Sequence, residues 1–397
     1  MATVFQPCKT EEKNRFYPCE KTRCGHIWTV RYREPGGKQG SQREKSFPLK
    51  GEADDFATKV ENDKREGVYL DPSRGKVLIK VYAPKWIEGH ACAESTRRNY
   101  TSFITIWVVP IIGRKTLAGV TAGDVKKLQG EMSAAGLAPS TINARIGIAL
   151  SGMFNAAVAE KRIRENPCAE VEPLKTAAKA VDPDEIPTTG QVHDIAACIA
   201  PHYRLGVYCM SGAGMRPGEM LAYGPSEDRE TFARLRHQIS VYMTPGETKP
   251  SFAPLKHRVK GDYRDVPLAD FLAEERAAHV ERFPVVVAKG VKVYFSPRGR
   301  YVGDMPHPAT FNANFSRTLI KLELVDKDGK PAFSPHDLRH YFASTAIADG
   351  VPILEVSRWL GHRSIQITAD TYGHMTPGAT PRLRSVMDAA LRPPVLG

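Results

Sequence analysis

Three short stretches of this sequence concentrate side chains that can hold a phosphate and attack it. In Ser211-Gly212-Ala213-Gly214-Met215-Arg216-Pro217-Gly218-Glu219 an arginine sits in a glycine-flanked turn, with Glu219 three residues on, placed to orient the guanidinium. His336-Asp337-Leu338-Arg339-His340 puts His336 and Arg339 on one helical face. Leu360-Gly361-His362 closes an amphipathic helix marked by Ile353, Val356 and Leu360, and Tyr372 follows. Singly these are ordinary: an Arg-x-x-Glu is usually a surface ion pair, a His-x-x-Arg a solvated face, a helical tyrosine packing. Their joint occurrence in this order is not.

The chemistry such a set supports is phosphoryl transfer. A phosphodiester under attack builds negative charge on its non-bridging oxygens, and guanidinium forks match those oxygens with paired, always-charged donors. Two arginines therefore replace a metal. A phenol of pKa about 10 attacks at neutral pH only with positive charge or a proton acceptor nearby, and His336 is the expected acceptor. The leaving oxygen needs a proton, which a lysine ammonium can supply. Because the phenol oxygen replaces one ester oxygen, the bond energy is kept and resealing needs no ATP.

These groups must be held by a third domain beginning near Thr188. Within it Tyr203–Met210 reads as an apolar helix, Arg236–Met243, Arg264–Leu268 and Val291–Phe295 as strands, and the rest to about residue 390 as mostly helix. A linker of Ala, Lys, Asp and Pro precedes it, assigned to 176–187. Residues 76–175 read as a helical bundle. Thr96 is the expected cap of a helix ending before Pro110, Thr121 and Asp124 form a capping box, and Ser140 opens a helix with Ile142, Ile146, Leu150, Met153, Phe154, Ala157 and Val158 on its inner stripe. Residues 1–75 read as a strand pair, Trp28–Arg33 and Arg43–Leu49, followed by a helix from Glu52 to about Arg65. The fold class expected is multidomain, mainly α with small β-sheets.

Composition fits an anion-binding protein. The 397 residues carry 56 Lys+Arg against 44 Asp+Glu, a formal charge of +12, and residues 76–180 hold 15 basic and 8 acidic side chains, more than half the excess. That favours nucleic acid or an acidic membrane surface as partner. No apolar run of about 18 residues and no charged-then-apolar leader occurs, so a soluble cytoplasmic protein is expected. Seven scattered cysteines argue for reduced thiols. Cys8, Cys19, Cys24 and His26 lack a close Cys-x-x-Cys knuckle, so unliganded thiols are favoured over a zinc site. Gly212-Ala213-Gly214 lacks the Lys-Ser/Thr of an ATP loop. No metal or cofactor is expected.

The run Ser334 to Met375, with GAGMRPGEML at Gly212 to Leu221, resembles the catalytic domain of tyrosine recombinases, the phage integrase family. The resemblance is closest over residues 205–378. Position by position it implies that Arg216 and Arg339 grip the scissile phosphate, that His336 and His362 are the box histidines, and that Tyr372 is the nucleophile in Thr368-Ala369-Asp370-Thr371-Tyr372-Gly373-His374. The family's hairpin lysine corresponds to Lys256 or Lys260 in the stretch Leu255 to Leu268, which ends in a family-like Arg-x-Val-Pro-Leu. Lys256 is preferred because Lys260 adjoins the glycine where the chain turns. His340 and His374 flank the site as helix supports.

By the same resemblance, residues 1–75 are an arm-type DNA-binding domain, 76–175 a core-binding domain, and 188–397 the catalytic domain with its tail. Implied partners are double-stranded DNA attachment sites and three further copies of the chain on that DNA. An excision factor and a DNA-bending host protein are admitted as accessories. Arg31, Arg33, Arg97, Arg98, Lys126, Lys127 and Arg145 are the basic side chains assigned to DNA, and Val386, Ala389, Ala390 and Leu391 give the tail an apolar face for docking on a neighbouring copy. The host cell is expected to be bacterial, with the protein at its nucleoid. A type IB topoisomerase-like enzyme has little use for the first domain, and a DNA-binding regulator has no need of the tyrosine.

Overall fold

The computed structural model describes residues 2–9, 16–18, 27–35, 40–67, 69–71, 73–176, 180–241, 249–256, 258–297 and 302–375, with isolated positions at 384, 387 and 390. Cys19, Cys24 and His26, the Cys8 side chain and most of the C-terminal docking face lie outside the described residues. The chain divides into two compact units, Met1–Thr176 and Ala177–Gly397.

In the first unit Trp28–Arg33 is the centre of a three-stranded antiparallel sheet, with Thr3–Phe5 on one edge and Gln42–Phe47 on the other. Strand alternation turns Val30 and Tyr32 inward, where they pack with Ala53 and Val60 of the helix Lys50–Arg65. Arg31 and Arg33 point outward as expected. The edge strand Thr3–Phe5 went unread because three residues show too little alternation.

A separate apolar cluster fills the helical remainder of this unit. The helix Glu94–Phe103 continues through a π-helical stretch, Ile104–Val108, into Val109–Ile112. The expected stop before Pro110 is therefore corrected: Pro110 lies inside this continuous helical run, directly after the π-helical stretch. Both bonds of the Thr121–Asp124 capping box are made. The stripe helix opens at Pro139, with Ala138 rather than Ser140 as cap, and reaches Ala159 through a second π stretch, Arg145–Leu150. Pro139–Ala159 is long and apolar enough to cross a membrane by composition, but Ile142, Ile146, Leu150, Met153, Phe154 and Ala157 are buried in the bundle core.

The second unit is built around Arg204–Ala213, a helix buried on nearly every side, with Pro335–Ala348 packed against it. Phe232–Leu235 pairs with Arg264–Pro267, and His237–Ser240 pairs with Ser251–Pro254, all antiparallel. The strands flanking the lysine segment thus pair with outer neighbours. Among the described residues they do not pair with each other, which corrects the expected hairpin. Helices Ile353–Leu360 and Ile365–Tyr372 close a smaller cluster with Phe342, Ala343 and Ile347.

Candidate active site

The site is organised by one helix end. Ile353–Leu360 stops at Gly361, which has φ +62°, leaving carbonyls at Trp359, Leu360 and Gly361 without helical partners. Three arginines from distant segments take them. Arg264 donates to the Trp359 carbonyl, Arg339 to that of Leu360, and Arg216 Nη2 to that of Gly361 at 3.3 Å. The negative end of a helix dipole thereby meets three guanidinium groups. A Cβ at Gly361 would lie 3.0 Å from the Arg264 Cδ, so this turn requires glycine for both its φ and its neighbours.

A second anchor lies at the end of Arg204–Ala213. Gly214 has φ +59° and a Cβ there would come within 2.6 Å of the Phe342 ring; its carbonyl accepts from both Arg339 and Arg264. Arg216 then caps the helix Pro217–Ala222. Glu219 accepts from the Arg216 backbone N–H at 2.8 Å, from Arg216 Nη1 at 2.9 Å and from Arg264 Nη2 at 2.5 Å. Glu219 is fully buried, and Arg264 and Arg339 are 2–3% exposed. Burial opposes the Glu219 charge, but Arg264, Arg216 and Arg339 outweigh burial and hold the carboxyl down to about 2. Burial and the crowding of like charges push Arg339 well below the usual guanidinium value.

The histidines line the edge of this cluster. His336 stands in the first turn of Pro335–Ala348, fixed by a capping box between Ser334 and Asp337. It is exposed at the surface, and partial desolvation, then the charges of Arg339 and His340, lower its pKa. His362 follows Gly361 directly, and its Nδ1 is 2.8 Å from the Thr368 hydroxyl. Burial, then Arg339 and Arg216, depress it to about 4, so the ring is neutral at physiological pH.

Tyr372 ends the helix Ile365–Tyr372 and is 2% exposed. Burial raises its pKa well above the ordinary phenol value, against the pull of Arg339. The imidazole that touches it is His340, with Nδ1 2.6 Å from the hydroxyl. The expectation that His336 is the group at the phenol is corrected: His336 lies one turn earlier, its ring perpendicular to that of His340 at 5.1 Å. The i, i+4 spacing of the two histidines was the available signal.

The remaining assigned residues differ in their surroundings. Lys256 is exposed in the loop after Ser251–Pro254. Lys260 stands in the tip turn, where Asp262 accepts from the Val259 N–H at 3.3 Å and Gly261 has φ +102°. In the first unit Arg31 pairs with Glu44 at 2.6 Å, Arg33 donates to the Gly40 carbonyl at 3.2 Å, and Arg98 lies 3.6 Å from Glu94. Arg97 is committed to the carbonyls of Ile87 and His90 at the end of Ile79–Gly89, a helix-capping role that sequence alone did not reveal. Arg145 stacks on Phe103 at 6.0 Å, and Lys126 and Lys127 are exposed. Among the described residues no cluster of three or more His, Cys, Asp or Glu could hold a metal ion.

Residues 302–378 match the model of the phage integrase family. A tyrosine recombinase XerC-like protein of Caldanaerobacter subterraneus subsp. tengcongensis is 27% identical over 57% of this chain, and the match spans 61% of that relative's length. The integrase of Mycobacterium phage FRAT1 is 24% identical over 72% of this chain and 80% of its own. In architecture the chain is similar to the Tn1549 transposon integrase solved with a circular intermediate DNA, at TM-score 0.64 and 17% identity, covering 79% of this chain and 99% of that one. It is also similar to the lambda integrase tetramer solved on a Holliday junction, at TM-score 0.54 and 16% identity, covering 84% and 93%. At those identities the structural likeness speaks for the fold.

Proposed function

We propose that the chain is a tyrosine recombinase of the phage integrase type, which cuts and rejoins DNA at specific sites through a 3′-phosphotyrosyl bond to Tyr372; the family-model match over residues 302–378 and the similarity to tyrosine recombinases and integrases support this reading. The observation that carries this reading is the meeting of Arg216 and Arg339 on the adjacent carbonyls of Gly361 and Leu360, with His362 next in the chain and the charge of Arg339 acting on the Tyr372 phenol.

In this reading Arg216 and Arg339 face the non-bridging oxygens, where charge grows during attack, and losing either lowers the rate about 10²–10³-fold. His362, neutral and oriented by Thr368, adds a donor through its free ring nitrogen. Lys256, on an exposed loop, protonates the leaving 5′-oxygen. Residues 1–75 bind arm sites, 76–175 and 188–397 hold the core site, and 176–187 join them. The related lambda integrase was solved as a tetramer on a Holliday junction, which supports four copies of this chain at work on two duplexes. An excision factor and a DNA-bending host protein assist, and the work takes place in the cytoplasm of a bacterial cell, at its nucleoid.

The test is a duplex nicked so that the cleaved fragment diffuses away, carrying a core sequence recovered from DNA trapped on the protein in cells. In EDTA the chain should form a denaturation-resistant adduct, and Tyr372→Phe should form none. An adduct that survives Tyr372→Phe refutes the assignment.

A further inference from the structure

We propose that His340 is a catalytic residue, the base that takes the phenolic proton of Tyr372 as its oxygen bonds to phosphorus. This rests on the reading of Tyr372 as nucleophile and adds the identity of the group that activates it. The phenol is buried among Phe342, Ala343, Val356 and Leu360, where its ionised form is disfavoured, so attack requires a base already in contact. His340 Nδ1, 2.6 Å from the hydroxyl, meets the distance a general base needs.

The direction of that hydrogen bond follows from the chemistry of the two groups. A phenol held protonated by burial donates, so Nδ1 is the bare nitrogen and Nε2 carries the ring hydrogen. The groups that act on the His340 ring are His336, Asp337 and Arg339 on its own helix and Tyr372 from the helix packed against it. Burial and Arg339 keep the free ring neutral, hence able to accept, while Asp337 favours the imidazolium that forms.

The step balances. The Tyr372 oxygen forms its bond to phosphorus, the phenolic proton moves to His340 Nδ1, the bond from phosphorus to the 5′-oxygen breaks, and that oxygen takes a proton from Lys256. Ligation runs the same transfers backward, with the imidazolium returning its proton to the phenol. His336, lacking contact with the hydroxyl, is left free to face the phosphate.

The test uses the full chain on the nicked core duplex, comparing wild type with His340→Asn, which keeps a polar atom near the Nδ1 position, and His340→Gln, which keeps the volume. Neither side chain takes a proton. Both variants should form adduct at least about 100-fold more slowly at pH 7 while binding the duplex as wild type does. In wild type the rate should level off above the imidazole titration; in the variants it should keep climbing about tenfold per pH unit as the phenol itself ionises. Fluorinated tyrosine, a more acidic phenol, should restore most of the variants' rate and change wild type little. A wild-type rate or an unchanged pH profile in either variant overturns the role of His340. Loss of adduct in Tyr372→Phe alongside such a result would leave the nucleophile assignment standing, so the two failures are distinguishable.

Discussion

Glu219→Gln isolates the group that lets three arginines share one site. The carboxylate is fully buried and bonded to Arg216 and Arg264, whose side chains are 16% and 2% exposed. The amide keeps the shape and removes the charge, leaving two guanidinium groups uncompensated in a buried setting. Breaking a buried pair in this way costs roughly 3–5 kcal/mol. The unit that contains it, Ala177–Gly397, is of a size for which 1 kcal/mol moves Tm by about 2–4 °C, so the midpoint should fall by roughly 6–20 °C. Arg216 should also lose its orientation, slowing adduct formation by about 10²-fold even where the variant remains folded. Calorimetry of the full chain with rate measurements well below the transition separates the two effects. A midpoint within about 2 °C of wild type would refute the idea that this carboxylate holds the arginines together.

The depressed histidine at 362 makes the fold sensitive to mild acid. A ring held neutral contributes its full stability above about pH 6.5 and loses it as pH falls toward the native value near 4, a loss of up to about 3 kcal/mol for this group. Urea midpoints between pH 7 and pH 4 should therefore drop in wild type and drop less in His362→Ala; equal drops would contradict it. Lys256→Ala should abolish cleavage of an ordinary duplex yet cleave one with a 5′-bridging sulfur, because a thiol is far more acidic than an alcohol and leaves as the thiolate without a proton donor. Rescue of Lys260→Ala instead would transfer the role. Thr368→Val removes the hydroxyl 2.8 Å from His362 Nδ1, a hydrogen bond worth about 1 kcal/mol, so Tm should fall by about 2–4 °C and adduct formation, measured well below the transition, should slow about 5-fold; a wild-type rate would contradict the orienting role of Thr368.

Local signals were legible in the sequence and long-range ones were not. The capping pair Thr121–Asp124 and the glycines at 214 and 361 follow from neighbours a few residues away. Arg264 was visible only as the first residue of a family-like Arg-x-Val-Pro-Leu. Its partner Glu219 lies 45 positions earlier and its acceptor Trp359 lies 95 positions later, contacts that no periodicity announces. His340 was passed over because a second histidine on a helix face is usually a support, and only folding brings the end of Ile365–Tyr372 against it. The strand partners of the lysine loop were misread because a turn between two strands suggests a hairpin, whereas each strand here finds a longer-range partner. Arg97 shows the converse: a basic residue on a polar face is consumed by the carbonyls of the preceding helix end.

The convergence of one phenol and two guanidinium groups on a single phosphorus is measured most directly by a crystal structure of the full chain on its core duplex with vanadate joining the cleaved ends. The expected result is a bond from Tyr372 Oη to vanadium, with nitrogens of Arg216 and Arg339 about 2.7–2.9 Å from its equatorial oxygens. A vanadium atom bonded to another nucleophile, or standing clear of both arginines, would contradict it.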